Sequence, residues 1–374
     1  MNTKRNLPGD SHHYRLLVGI GGIGSGIFFA LDGNHTLGRE ESRPGRLLDI
    51  RDYCKLHIIS HYVARLLEAD PGGDFRVFPI GKVGNDAPGR QMMAEMSAAG
   101  MDTNHVEIVS GSPTMFSVCF QYPDGMGGNI TASNSAAAQL DCDDLDQVEH
   151  LFAEPAVALA APEVPLETRA HFLQLAGKRR AFRAASFTAA EVAPATELGM
   201  FANLELVSLN VGEAAALAGC PFEPSQPRRF LQACEQVLRT SYPKLRLVVT
   251  AGRLGAFAYS ERSWDFCPAP PVKVASTAGA GDALLGGLIV GEVCGIPFIR
   301  RDHSLDRGSI GTVRSALDFA VLLASYTATS PHTIHPQASK EALLAFASEL
   351  GVELAPEIRR LLGFRTQTSS ATRS

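Results

Sequence analysis

The sequence predicts an α/β protein: a central, mostly parallel sheet flanked by helices, with a second, smaller β sheet attached. Three observations carry this expectation. Short apolar stretches of strand length alternate with amphipathic stretches of helical period along most of the 374 residues, the pattern of a parallel sheet covered by helices. Glycine-rich turns punctuate the alternation at Gly19–Gly24, Ile80–Gly89, Gly252–Gly255 and Gly279–Gly281. Two regions break it: the charged segment Asp32–Asp52, and Ile108–Thr131, where MFSVCFQY, a turn at Asp124-Gly125 and then Gly127–Thr131 read as a hairpin. A hairpin inserted into a parallel α/β domain commonly forms a separate small sheet.

In chain order, the strands expected are Arg15–Ile20, Phe75–Ile80, Ala156–Ala160, Leu204–Ser208, Leu245–Thr250 and Ala256–Ser260, with Val272–Val274 as a further β-branched run. Helical periodicity marks Gly89–Ala99, Leu166–Ala176, Gly212–Ala218, Pro227–Arg239, Ala316–Thr327 and Lys340–Leu350, and Asp282 opens another apolar helix. The short apolar run Ile27–Leu31 also reads as helix. Residues 1–14 and 363–374 have the composition of disordered tails, which leaves 15–362 as the folded domain.

Bulk properties narrow the function. Apolar content of 45% and charged content of 20% are ordinary for a globular enzyme. A net charge of −5, from 39 acidic and 34 basic residues without a long basic run, argues against nucleic acid as a partner. Arg39, Arg43, Arg46 and Arg51 cluster, but Glu40, Glu41, Asp49 and Asp52 interleave with them, as in a solvated mixed-charge loop. The seven cysteines are scattered and form no C-x-x-C, so neither a disulfide framework nor a zinc site is expected. The N-terminus MNTKRNLPGDSHHYR lacks an apolar core, and no stretch reaches the ~20 apolar residues of a membrane span. The chain reads as cytoplasmic, with no membrane partner.

The most informative stretch is VKVASTAGAGDALLGGLIVG, Val272–Gly291. A Gly-Ala-Gly turn at a helix start leaves backbone N–H groups unpaired where the helix dipole adds positive charge, which makes an anion hole. Asp282 beside it would repel a resting phosphate; it suits a base that takes a proton from a hydroxyl while the hole neutralises the group attacked. The same residues also fit an ordinary strand–turn–helix with an Asp in the first turn. At the other end of the chain, Gly19-Ile20-Gly21-Gly22-Ile23-Gly24 satisfies G-x-G-x-x-G. A dinucleotide site also needs an acidic residue ending the next strand; Glu40 and Glu41 fall at the right distance, but no strand precedes them.

Ser276-Thr277-Ala278-Gly279-Ala280-Gly281-Asp282 resembles D-T-x-G-A-G-D, a signature of the ribokinase-like (PfkB) carbohydrate kinases. The resemblance runs in the family's order from about Arg15 to Pro336. It implies a ribokinase-like fold whose small β sheet is a lid, formed mainly from about 32–62 and 108–132, and often a homodimer contact. It implies ATP and Mg²⁺, a sugar-like acceptor, Asp282 as base, and the amides of Gly279, Ala280 and Gly281 as the hole for the phosphoryl group. Ile80–Gly89 looks like G-x-x-G-x-D-x-x-G, with Asp86 capping a helix. Ala161–Thr168 resembles E-x-P-x-E, implying Glu163 as an acceptor ligand; otherwise Glu163 is a surface residue before a Pro-initiated helix. Asn210 and Glu213 match N-x-x-E, one helical turn apart. That implies Asn210 as a phosphate contact and Glu213 as a magnesium organiser acting through water, or else a simple cap. Val248–Ala256 matches T-x-G-x-x-G-A, which implies Thr250, Gly252 and Gly255 beside the nucleotide.

Departures from the family concentrate at the acceptor and the cation site. Ser276 replaces an Asp that helps hold a monovalent cation, and Ser330 and Ile334 replace a Gly and a Ser, which speaks against cation activation. The family's Asp after the first strand is absent; Gly24, Ser25 and Gly26 stand there, with Ser25 the polar candidate. G-G-x-x-x-N is replaced by Lys55-Leu56-His57-Ile58-Ile59-Ser60-His61, so Ser60, His57 or His61 would read the acceptor. The expected function is ATP-dependent phosphorylation of a sugar or polyol hydroxyl. The alternatives are a nucleoside or vitamin-like alcohol kinase, or a non-catalytic sugar- or nucleotide-sensing relative.

Overall fold

The computed structural model describes residues 13–124 and 127–364. Its longer strands are β1 (Leu16–Ile20), β2 (Gly24–Leu31), β3 (Gly45–Tyr53), β4 (Arg76–Gly84), β5 (Val106–Val109), β6 (Met115–Gln121), β7 (Gly127–Thr131), β8 (Ala156–Ala160), β9 (Phe182–Ser186), β10 (Leu206–Asn210), β11 (Arg246–Thr250), β12 (Gly255–Ser260) and β13 (Ser263–Pro268), and two-residue strands at Thr312–Val313 and Glu353–Leu354 pair with each other. The helices are α1 (Lys55–Leu67), α2 (Ala87–Ala98), α3 (Cys142–Val148), α4 (Leu166–Lys178), α5 (Val192–Glu197), α6 (Val211–Ala218), α7 (Pro227–Ser241), α8 (Ala280–Val293), α9 (Ala316–Ala328), α10 (Lys340–Glu349) and α11 (Pro356–Leu361).

Nine strands form the central sheet in the order β13-β12-β11-β10-β9-β8-β1-β4-β5. It is parallel except at β12 and β13. Its inner strands are near-continuous apolar runs, as both faces are covered: LLVGI in β1 and AVALA in β8 are buried throughout. Leu56, Ile59 and Val63 of α1, Leu285 and Ile289 of α8 and Leu322 of α9 build the core on one face. Phe172 of α4, Ala214 of α6 and Phe230 of α7 build it on the other. Strand C-termini and helix N-termini therefore meet along one edge of the sheet, where ligands of open α/β folds bind.

The second sheet has four strands in the order β3-β2-β6-β7, with β2 parallel to β6 and antiparallel to β3. Several expectations are corrected here. Ile27–Leu31 lies in a strand, because β2 finds β3 and β6 as partners on its two sides. Gly19–Gly24 leads into that strand and not into a helix, so no helix N-terminus is available for a dinucleotide pyrophosphate. The small sheet takes Gly24–Leu31 and Gly45–Tyr53; residues 55–62, expected to belong to it, are helical because their apolar face packs into the main core. Val272–Val274 is not a strand: Pro270 and Pro271 just upstream lack N–H donors, and the segment is tied by Ala275 N–H to Ala328 O at 2.8 Å.

Residues 1–12, 365–374 and Gly125 of the expected turn lie outside the described residues. Tyr14 and Phe364, assigned to tails, pack against the core. Among the described residues, no helix is long and apolar enough to cross a membrane.

Candidate active site

The turn before α8 is built as its sequence requires. Gly279 caps the helix at φ 79°, and a Cβ there would collide with the Thr333 carbonyl oxygen, so both conformation and space demand glycine. The first i→i−4 bond runs from Ala283 N–H to Gly279 O, 2.8 Å, and the amides of residues 280–282 precede it. The Ala280 amide donates to Thr277 O at 3.3 Å. The Gly281 and Asp282 amides therefore remain for an anion, and a Cβ built on Gly281 meets nothing within 4 Å. Of the three amides expected at Gly279, Ala280 and Gly281, that of Ala280 is engaged within the turn itself.

Asp282 does not stand alone. Its side chain is 12% exposed, and Oδ1 lies 3.4 Å from Lys55 Nζ at the first residue of α1. Burial raises the Asp282 carboxyl above its ordinary value, and the Lys55 charge opposes that rise. In return the Asp282 charge lifts the Lys55 ammonium, which Glu213 and Glu163 also favour, against its own burial. A cation and a potential base are thereby held together at an open helix N-terminus.

Two further carboxylates flank this pair. Glu163 has a left-handed backbone, φ 78°, a conformation that costs a non-glycine residue on the order of 1–3 kcal/mol and persists where surrounding structure imposes it. Burial pushes its carboxyl up to about 7, partly offset by the Cys54 thiol and Lys55, and Oε2 has no hydrogen-bond partner. Asp52 comes from β3, directly opposite Gly26 of β2. Its Oδ2 occupies the space a Cβ of residue 26 would need, which is why glycine stands there. The Cys119 thiol donates to Oδ2 at 3.4 Å, while burial raises the Asp52 carboxyl despite this bond.

The strain of burying Glu163 has a measurable sign. Its folded pKa lies above the ordinary 4.5, so the native state binds the extra proton and stability falls as pH rises from the unfolded value through about 7. Glu163→Gln removes this loss. Its melting temperature relative to wild type is expected to rise between pH 5 and pH 8, by the equivalent of about 1–3 kcal/mol. Parallel pH dependence of the two proteins would show that Glu163 is not buried as a charge.

The other sequence-predicted residues are placed as follows. Asn210 and Glu213 form a reciprocal cap on α6: Asn210 Oδ1 accepts from the Gly212 and Glu213 amides at 2.9 and 3.0 Å, and Glu213 Oε2 accepts from the Asn210 amide at 2.8 Å. Burial raises the Glu213 carboxyl, with Lys55 opposing and Asp282 adding to the rise, so it faces the same charges as the pair above. Thr250 ends β11 in register with Asn210. Gly252 opens the following turn with nothing within 4 Å of a Cβ built on it, whereas Gly255 is pressed against the Cys267 carbonyl and serves the sheet. Asp86 caps α2 through the Gly89 amide at 2.8 Å.

Ser25 lies in β2 between Tyr53 and Phe116. Ser60 is fully buried near Gly19, its Oγ without a partner. His57 and His61 turn to the other side of α1. Among the described residues, no cluster of three or more His, Cys, Asp or Glu is arranged to hold a metal, so a magnesium ion here would rest on a carboxylate such as Glu213 plus phosphate and water, its usual manner. Lys55, Asp52, Cys54 and Cys119 are the site residues that sequence reasoning missed.

Comparison with known proteins agrees with this fold. The family model for pfkB family carbohydrate kinases matches residues 59–340. A curated relative, the ATP-dependent 6-phosphofructokinase isozyme 2 of Escherichia coli (strain K12), is 35% identical over 86 residues, 23% of this chain and 27% of that enzyme's length. The fold is shared with ribokinase from Giardia lamblia (TM-score 0.70, 15% identity, 88% of this chain and 99% of that one). It is also shared with Arabidopsis thaliana ribokinase complexed with ribose and ATP (0.63, 17%, 89% and 98%) and with Cryptococcus neoformans var. grubii serotype A ribokinase in complex with ADP (0.63, 20%, 89% and 99%). The architecture is that of the ribokinase-like sugar kinases. The chain belongs to the PfkB carbohydrate kinase family, and the match begins after β2, β3 and Lys55.

Proposed function

We propose that this chain is an ATP-dependent kinase that phosphorylates a hydroxyl of a sugar or related polyol. The observation that carries the reading is the Asp282 carboxylate, paired with Lys55 at the open N-terminus of α8. Asp282 takes the proton from the acceptor hydroxyl as that oxygen attacks the γ-phosphorus of ATP and the bond to the leaving ADP breaks. The Gly281 and Asp282 amides meet the charge on the phosphoryl oxygens, and Lys55 keeps Asp282 ionised despite burial. ATP would supply the phosphoryl group at Thr250, Gly252 and Asn210, with Mg²⁺, near Glu213, neutralising phosphate charge. Catalysis of this kind is mainly positioning and electrostatics.

The family's carboxylate after the first strand has a replacement in this reading. Asp52 reaches over Gly26 from the neighbouring strand, and with Glu163 it gives the acceptor pocket two carboxylates that accept hydroxyl hydrogen bonds. The small sheet is the lid over that pocket. It leaves Leu47 60% and Ile130 69% exposed, apolar surface that suits a homodimer contact through the lid.

The test is an acceptor screen with ATP and magnesium, spanning sugars, polyols, nucleosides and vitamin-like alcohols. Turnover of a sugar or polyol is expected, and Asp52→Asn should raise its KM at least about tenfold, the cost of losing charge-assisted hydrogen bonds, with a smaller change in kcat. Turnover confined to nucleosides or vitamin-like alcohols replaces the acceptor class. ATP binding without turnover of any acceptor makes the chain a sensor.

A further inference from the structure

We propose that a second cavity, on the side of α1 turned away from Asp282, binds a phosphate monoester carrying free hydroxyls. At about 100° per residue, His57, His61 and Arg65 fall roughly 200–280° around α1 from Lys55, so they face a different space. With Arg51 of β3, the end of α2 and the loop around 332–338 they enclose a cavity of about 360 Å³, within the range of small-molecule sites.

The lining states the chemistry of its occupant. Arg51 and Arg65 bring two guanidiniums, of which Arg65 Nε donates to Ala338 O at 3.2 Å. His332 Nδ1 accepts the Arg51 amide at 3.0 Å and His335 Nδ1 accepts the Gln337 amide at 3.2 Å. Each neutral ring therefore carries its proton on Nε2 and is a donor. His57 is 1% exposed and its Nδ1 has no partner; the buried Nδ1 of His61 has none either. Burial holds both imidazoles neutral, at about 3. Buried polar atoms left unpaired in a cavity wall call for a ligand group.

Two guanidiniums disfavour a cation, and no metal-binding cluster is present among the described residues. Paired arginines with imidazole donors match phosphate oxygens. Glu95 adds the opposite requirement: its Oε1 accepts from Gln91 at 2.9 Å and the Tyr53 phenol stands beside its carboxylate, while its Oε2 is buried without a close partner. A carboxylate oxygen in an anion site needs a donor on the ligand, which a hydroxylated monoester supplies and an anion without an O–H, such as sulfate or a polycarboxylate lacking a hydroxyl, does not.

The cavity also shares a wall with the candidate active site. Thr333 N–H donates to Arg51 O at 3.2 Å, and Tyr53 N–H donates to Thr333 Oγ1 at 3.2 Å. The Thr333 carbonyl is the atom pressed against Gly279. An occupant held by Arg51 and His332 thus bears on the strap that backs the α8 turn.

The experiment is calorimetric titration of the full chain, saturated with a non-hydrolysable ATP analogue and magnesium. The probes are ribose 5-phosphate and glucose 6-phosphate, against ribose, glucose, and the hydroxyl-free anions sulfate and tricarballylate. At least one sugar phosphate is expected to bind, and the Arg51→Ala/Arg65→Ala double variant should bind it at least about tenfold more weakly. The variant's melting temperature should still rise with ATP, which shows it folded. Binding unchanged in the double variant places the occupant elsewhere and overturns the proposal, as does no binding by either sugar phosphate. Equal or tighter binding of sulfate or tricarballylate overturns the assigned class. None of these readouts needs turnover, so a failed acceptor screen leaves them interpretable.

Discussion

Asp282→Asn is expected to keep nucleotide affinity while kcat falls by at least ~10²-fold, the usual cost of removing a general base. The amide has the size of the carboxylate and still accepts a hydrogen bond from Lys55, so the α8 turn and its open amides keep their places. What it loses is the ability to take a proton. The fold tolerates the change, because the Lys55 side chain left without its ion pair is 32% exposed and water can solvate it, unlike a sealed charge. The measurement is kcat on an acceptor from the screen, with nucleotide affinity determined alongside. Unchanged turnover would reduce Asp282 to a first-turn acid that stabilises the α8 dipole, and the proposed function would lose its base.

The parts of the molecule legible from sequence are those whose determinants are local. β1, β8 and β11 announce themselves as apolar runs because both sheet faces are covered, and α4, α7 and α9 carry uninterrupted helical period. The Gly279–Asp282 turn was readable because a tight turn into a helix needs its residues contiguous. Ile27–Leu31 was misread because five apolar residues carry no decisive period; only its pairing with β3 and β6 makes it a strand. α1 shows Leu56, Ile59 and Val63 at helical spacing, a signal masked by the mismatch of this stretch to the family's glycine pattern. The site partners that were missed are all long-range. Lys55 and Asp282 stand 227 positions apart, and Asp52 reaches the place over Gly26 only through strand register. A glycine opposite a carboxylate across a hairpin would have been the one sequence signal, and it becomes visible only once that register is known.

Lys55→Met separates what Asp282 does from what keeps it able to do it. Methionine preserves the unbranched apolar stem and removes the charge. Burial then acts on Asp282 unopposed, and its carboxyl rises further above the ordinary value. Since the ionised form is the base, activity is lost from the acid side inward: the acid limb of the kcat profile moves to higher pH. At neutral pH the rate should fall about 10²-fold, comparable to removing one electrostatic donor from an anion hole. Stability reads the same shift together with those of Glu163 and Glu213, which Lys55 also opposes. A raised folded-state pKa means the native protein binds more protons than the unfolded chain, so the variant should lose stability relative to wild type as pH rises from 5 to 8. Recovery of the full rate at high pH would confine Lys55 to holding Asp282 ionised. A plateau that stays depressed would show its cation also meeting the phosphoryl group. A profile and a stability curve both unmoved would mean that the pair in the apo site separates before chemistry, and that Asp282 owes its ionisation to another charge.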